Sequence, residues 1–475
     1  MPDPATHMRQ VDRTCSRNRR RFSILTLPGT LQARRESTRS ISASACLFFH
    51  APMSSPVPDL QRAVVCSYHG CVQVQLQARG PPLKPMTAMS ASRLPPLPLP
   101  NGIVQNYVHC PSNGLTFHLL EAGCTPHRDR PLIVLCHGFP ELAFSWRKVM
   151  LPIAEAGYYV VAFDQRGYGR TTGWDNSSFV NTNLSQFSLT NVVRDVVTLV
   201  NALGYRQVQC IVGHDFGAVT ASMCALMRPD FFKSVVMMSH PFKAPALLPF
   251  AIAHGESQTD VPSTLDIHTE LGKLDRPRKH YKWYNSTSVA AVDWANPAQG
   301  LHAFLRGYLY VKSANWKENV PHPLRSWTAE EMAKLPYYYV MPMEKSMPET
   351  IADMVATEDT SATESWMPDR DLAVYVQEWS RTGFQGGLNY YRTTTDAARM
   401  TDLELFAGKK IECPSTFISG ARDWGNYQQP GAIEAYPDSC SDFRGIHLVK
   451  DAGHWPQQER PEEVVQEILG FLQRL

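Results

Sequence analysis

The chain has 475 residues, 43% hydrophobic and 19% charged, with a formal net charge of +2. That is a globular composition, and the near-neutral balance argues against a surface dedicated to nucleic acid. No run approaches the ~18 consecutive apolar residues of a transmembrane helix, and the 11 cysteines are scattered without C-x-x-C or Cys/His ligand spacing. Reduced thiols in a cytoplasmic protein are therefore expected, with no metal site, no cofactor and no disulfide scaffold.

Residues 1–100 stand apart. They hold 13 basic and 4 acidic residues, a net +9, which leaves −7 for the rest of the chain. Arg17, Arg19, Arg20 and Arg21 cluster near the start, and the segment ends in a proline run from Leu94 to Pro100. Without clear periodicity it is expected to be a disordered extension. Its Arg- and Ser-rich, acid-poor beginning also fits an organelle transit peptide, which would make the compartment mitochondrial. A true start at Met86 or Met89 is the third reading.

From residue 101 the pattern becomes regular. Val104–Val108 and Leu115–Leu120 read as strands joined by a turn at Pro111-Ser112-Asn113-Gly114. Buried-strand runs follow at 132–135, 158–163, 208–212 and 234–238, and again at 416–418 and 446–449. Between them, Leu189–Leu203 carries Val192, Val193, Val196 and Val200 on one stripe. A last helix starts at Pro461, a favourable first helical residue. Strands alternating with helices predict an α/β fold, its central sheet mostly parallel with helices on both faces. The rhythm stops after Met238 and resumes near Ile411. An insertion that long should be a mainly helical lid between late strands, over the crevice where open α/β sheets bind ligands. The expected division is 1–100 extension, 101–240 first part of the core, 241–405 lid, and 406–475 second part of the core.

The chemistry concentrates at Gly213-His214-Asp215-Phe216-Gly217, where a strand gives way to a helix. Small residues two places either side of Asp215 permit the sharp turn called a nucleophile elbow. Aspartate is also a good helix N-cap, so the pentapeptide alone leaves both readings open. Two further pieces follow in the order nucleophile, acid, histidine: Asp423 in the loop after strand 416–418, and His454 in the loop after strand 446–449. His137-Gly138-Phe139-Pro140 follows the third strand, so the backbone N–H groups of Phe139 and Phe216 would form an oxyanion hole. His137 itself is expected to shape its loop.

These motifs resemble the α/β-hydrolase fold family and, within it, the epoxide hydrolases, over about residues 101–475. The matches are His137-Gly138-Phe139-Pro140-Glu141, Asp164-Gln165-Arg166-Gly167-Tyr168-Gly169 and the elbow. The most discriminating is the lid block Gly383-Phe384-Gln385-Gly386-Gly387-Leu388-Asn389-Tyr390-Tyr391-Arg392. The resemblance implies that Tyr391 and a tyrosine of Tyr281-Lys282-Trp283-Tyr284 protonate an epoxide oxygen, with Tyr281 assigned and Tyr284 the fallback. Trp424 and Trp455, beside the acid and the histidine, either line the pocket with Tyr284 or wedge the loops. The long lid suggests a bulky, mostly apolar epoxide as the partner molecule, with no nucleic acid. A dehalogenase on the same scaffold and a catalytically inactive ligand-binding protein are the alternatives. The first often needs a halide-binding Trp after the nucleophile, where this chain has Phe216. The second is disfavoured by the full set of Asp215, Asp423, His454 and lid tyrosines.

Overall fold

The computed structural model describes residues 94–245 and 266–475, together with the backbone of three short strands nearer the start. Those strands, Cys46–Phe48, Arg62–Ser67 and Gly70–Gln75, pair antiparallel into a small sheet of their own. The transit-peptide and alternative-start readings otherwise lie outside the described residues. The expected boundary at 100 moves earlier. Leu97 and Leu99 pack against the cores of the following unit, and Arg170 Nη1 donates to the Pro95 carbonyl at 2.8 Å. Proline lacks an N–H but offers its carbonyl and a stiff apolar face, so the run lies against the fold as an extended strap.

Eight strands form the main sheet: β1 (Val104–Cys110), β2 (Leu115–Ala122), β3 (Leu132–Cys136), β4 (Tyr159–Phe163), β5 (Cys210–His214), β6 (Val235–Met238), β7 (Ser415–Gly420) and β8 (Phe443–Val449). Their spatial order is β8-β7-β6-β5-β3-β4-β2-β1. From β4 to β8 neighbours run parallel, while β1 and β2 are antiparallel additions at one edge. The central strands are buried on both faces, as their unbroken apolar runs require. Val134, Ile211 and Met237 pack with helices α1 (Leu189–Ala202) and α2 (Phe216–Met227), whereas Ile133, Leu135 and Val212 pack with Trp146, Ile153 and α6 (Pro461–Gln473). Each such side chain contributes about 1.5–3 kcal/mol by leaving water. α1 is capped by Ser188, whose hydroxyl accepts the Asn191 N–H.

The strand order fixes where chemistry can occur. After β4 the chain crosses to the far side of β3 to build β5, so the loops following β3 and β5 leave the sheet in opposite directions and open a crevice between them. Between β6 and β7 lies the lid. It contains α3 (Leu301–Lys312), α4 (Asp369–Thr382) and α5 (Gln385–Thr394), with a two-stranded ribbon of Arg278–His280 and Val340–Pro342. An aromatic core holds it together: Trp379 stacks on Phe384 with ring centroids 4.4 Å apart, and Trp294 packs against Phe304 and Tyr308. Among the described residues no helix is long and apolar enough to cross a membrane.

Candidate active site

The turn between β5 and α2 holds Asp215 at φ 53°, ψ −118°, a left-handed conformation that a non-glycine residue adopts only when its surroundings impose it. The flanking glycines make this possible. A Cβ on Gly213 would lie 1.9 Å from the Gly217 carbonyl oxygen, and one on Gly217 would lie 2.0 Å from the Cys136 carbonyl oxygen. The elbow therefore closes on itself and on the end of β3 through backbone alone.

Across the crevice, the loop after β3 offers its N–H groups. Phe139 N–H donates to Asp215 Oδ1 at 3.0 Å, and the Phe216 N–H, in the first turn of α2, has no intrahelical acceptor. His137 shapes this loop, as expected: its Nε2 accepts the Gln165 N–H at 3.1 Å and its carbonyl accepts the Gln165 side-chain amide at 2.6 Å.

Asp215 Oδ2, the other oxygen, lies 3.5 Å from His454 Nε2, and His454 Nδ1 lies 3.0 Å from Asp423 Oδ2. Asp423 is held in turn by the Gly425 N–H at 2.6 Å. All three side chains are buried. Burial pushes the Asp215 carboxyl up, but the facing imidazole and the charge of Lys312 outweigh it and hold it well below the usual carboxylate range. Asp423 is lowered for similar reasons, with His454 its main partner against burial. Burial and Lys312 push the His454 imidazole down, yet the two carboxylates prevail and raise it above an ordinary histidine.

Two buried lid phenols neighbour the elbow, and the Tyr281 hydroxyl donates to Gln428 Oε1 at 3.4 Å. Tyr281 and Tyr391 are 3% and 2% exposed, their ring centroids are 5.8 Å apart, and Tyr391 packs edge-on to Phe216 at 4.6 Å. Burial, with the Asp215 charge among the further causes, raises both hydroxyls well above 10, so they stay protonated and able to donate. Tyr391 reaches this depth because α5 touches the loop after β4 backbone to backbone. A Cβ on Gly386 would lie 2.2 Å from the Gly167 carbonyl oxygen.

Tyr284 is not brought to the site. Its hydroxyl donates to Asp293 Oδ2 at 2.8 Å, on the helix that follows Tyr281–Asn285. Tyr284 does not line the cavity that reaches Asp215, as Tyr281 does. Trp455 acts as a wedge: its ring lies 4.6 Å from that of His454 and its Nε1 donates to the Leu309 carbonyl at 3.2 Å. Trp424 is buried with its ring against His322, 4.8 Å away.

Three groups at the site had no reading of their own in the sequence. Glu141 Oε2 faces His214 Nδ1 at 2.6 Å, and His214 Nε2 donates to the His454 carbonyl at 2.6 Å, bracing the loop that carries His454. Both residues stood within recognised motifs, but nothing in the spacing paired them. Glu459 accepts the N–H groups of Gly453, Trp455 and Ala314 within 3.1 Å, tying that loop to the end of α3; burial pushes its carboxyl up to about 7. Lys312 is buried in the lid core, where an amphipathic helix pattern would place it outside.

A family model described as the alpha/beta hydrolase fold matches residues 131–255. Epoxide hydrolase B of Mycobacterium tuberculosis is 32% identical over 380 residues, which span 78% of this chain and 98% of that protein. The chain belongs to the epoxide hydrolases. An epoxide hydrolase of Caballeronia sordidicola is 30% identical, over 76% of this chain and 92% of its own. Among solved structures, the epoxide hydrolase from an endophytic Streptomyces superposes with a TM-score of 0.61 at 27% identity, covering 79% of this chain and 96% of its own. Potato (Solanum tuberosum) epoxide hydrolase I gives 0.58 at 28% identity, covering 78% and 100%. The match to this family spans the core and lid as one unit.

Proposed function

We propose that the protein converts an epoxide to a vicinal diol through a covalent alkyl ester on Asp215. The observation that carries this reading is the unequal environment of the two Asp215 oxygens. Oδ1 rests on the Phe139 N–H, while Oδ2 faces His454 in a cavity that Tyr281 also lines. A carboxylate attacking an ester carbonyl would yield an anhydride, but at saturated carbon it displaces a leaving group and forms an ester. Oδ2 attacks an epoxide carbon, and Tyr281 and Tyr391 hydrogen-bond the ring oxygen and protonate it as the C–O bond breaks. Oδ1 thereby becomes the ester carbonyl oxygen, already seated at its donors. His454, oriented by Asp423, then takes a proton from water, and the hydroxide adds to the ester carbon. The N–H groups of Phe139 and Phe216 stabilise the resulting oxyanion. Collapse releases the diol and restores the carboxylate.

The cavity that reaches Asp215 holds about 240 Å³ and is walled by Phe216, Val219, Met223, His240 and Tyr281 among others. Its mainly apolar lining supports an apolar substrate. Its volume, below the ~300 Å³ at which ordinary small-molecule sites begin, favours a compact epoxide over the bulky one that the lid length suggested. The absence of a tryptophan after the nucleophile and the presence of two phenols favour epoxide over halide as the leaving group.

The test is one turnover in heavy-oxygen water with enzyme in excess over styrene oxide. Label in the Asp215 carboxylate and unlabelled diol are expected. Labelled diol in that first turnover would mean direct attack by water and would overturn the covalent role of Asp215.

A further inference from the structure

Lys312 ends α3 with its side chain turned inward, 3% exposed. Its Nζ donates to the Tyr308 hydroxyl at 3.5 Å and otherwise faces rings, 5.0 Å from the centroid of Tyr339, 5.4 Å from Trp455 and 5.9 Å from Tyr338. Among the described residues it forms no ion pair, as the nearest carboxylates are beyond contact. Cation–π attraction offsets only part of the cost of burying an ammonium, and a methionine would fill the same volume without that cost. The same residue's carbonyl accepts the His454 N–H at 2.8 Å, which ties the backbones of the charged residue and the proposed base together.

We propose that Lys312 is a positioning residue whose buried ammonium makes His454 give up its proton once Asp215 has become an ester. The inference rests on the covalent mechanism above. In the free enzyme two carboxylates flank the imidazole and hold its proton. Alkylation turns one of them into a neutral ester, leaving Asp423 and Lys312 to offset each other. The base is then uncharged when water must be deprotonated. The proton lost by His454 goes to solvent, and the phenol that protonated the epoxide oxygen regains one from solvent. Water next supplies a proton to His454 and hydroxide to the ester, so the sum is epoxide plus water to diol. The other titratable groups facing His454 remain in place through both steps: His214 with Glu141 behind it, His240, and Glu459 from the following helix. Around the ammonium itself, Tyr308, Tyr338 and Tyr339 are held protonated by burial.

The test pairs an NMR titration of His454 in the ligand-free protein with the pH dependence of alkyl-enzyme hydrolysis, using styrene oxide as the probe. Lys312→Met should move the His454 titration and the acid limb of hydrolysis up by about one pH unit or more, the size expected when a like charge leaves a buried site. Tyr308→Phe keeps the ammonium and should leave both in place. An unmoved titration in Lys312→Met, or an equal shift in Tyr308→Phe, would overturn the proposal. Should Lys312→Met fail to fold, Lys312→Gln carries the same comparison. Absence of any adduct in the unmodified enzyme would overturn the covalent mechanism instead, a failure told apart because the titration needs no epoxide.

Discussion

Replacing Gly386 by alanine pits two physical effects of opposite sign against each other. Gly386 is the second residue of α5, and on helix propensity alone alanine would stabilise by up to about 1 kcal/mol. The added Cβ, however, would lie 2.2 Å from the Gly167 carbonyl oxygen and 2.8 Å from the Gly167 carbonyl carbon. Backbone cannot rotate away as a side-chain end can, so α5 must lift by about 1 Å to reach ordinary contact, at roughly 1–3 kcal/mol of overpacking. Tyr391 rides on that helix, and a misplacement of about 1 Å costs on the order of 10²-fold in rate. The expected result is a fall of that size in ring opening, measured as single-turnover alkylation, with a Tm loss of several degrees. Gly307→Ala is the control: there the new Cβ would lie 2.9 Å from an Ile351 methyl and 3.5 Å from two Val355 methyls, side chains rather than backbone. A Gly386→Ala enzyme with raised Tm and unchanged alkylation would refute the view that backbone contact sets the depth of the phenol.

Other outcomes follow from the same geometry. His454→Gln should lose about 10²–10⁴-fold in turnover while Asp215 still reacts, so intact mass should show the protein plus one epoxide; loss of turnover without an adduct would contradict the assignment of His454 to the second step. Tyr281→Phe and Tyr391→Phe should each slow ring opening more than ester hydrolysis, whereas Tyr284→Phe, whose hydroxyl serves Asp293, should leave both rates near those of the unmodified enzyme. On acidification His454 of the alkyl-enzyme regains the proton it gave up on ester formation, while the depressed Asp215 carboxyl of the free enzyme stays ionised. Hydrolysis should therefore fail before alkylation, and the steady-state fraction of alkyl-enzyme should rise as pH falls; a declining fraction would refute this order. On the alkaline side both lid phenols are raised above 10, so ring opening should persist to about pH 10.

The sequence by itself determined the eight strands of the main sheet, the helices at 189–203 and from Pro461, and the three loops that carry Asp215, Asp423 and His454, but neither the ribbon of the lid nor the three strands between Cys46 and Gln75. These are written in short-range signals: apolar runs of strand length, a stripe at helical spacing, and glycines where a turn admits no Cβ. Helix α1 runs from Leu189 to Ala202, ending one residue before the Leu203 at which its apolar stripe stopped. Tertiary structure alone decided which groups meet. Tyr281 and Tyr284 are three residues apart and chemically identical, yet one lines the cavity that reaches Asp215 and the other serves Asp293, because the choice depends on how the lid packs. Lys312, Glu141 and Glu459 act across elements far apart in the chain, and their value lies in burial beside other charges. A charged side chain on a helix reads as a solvated one until the fold takes away its water.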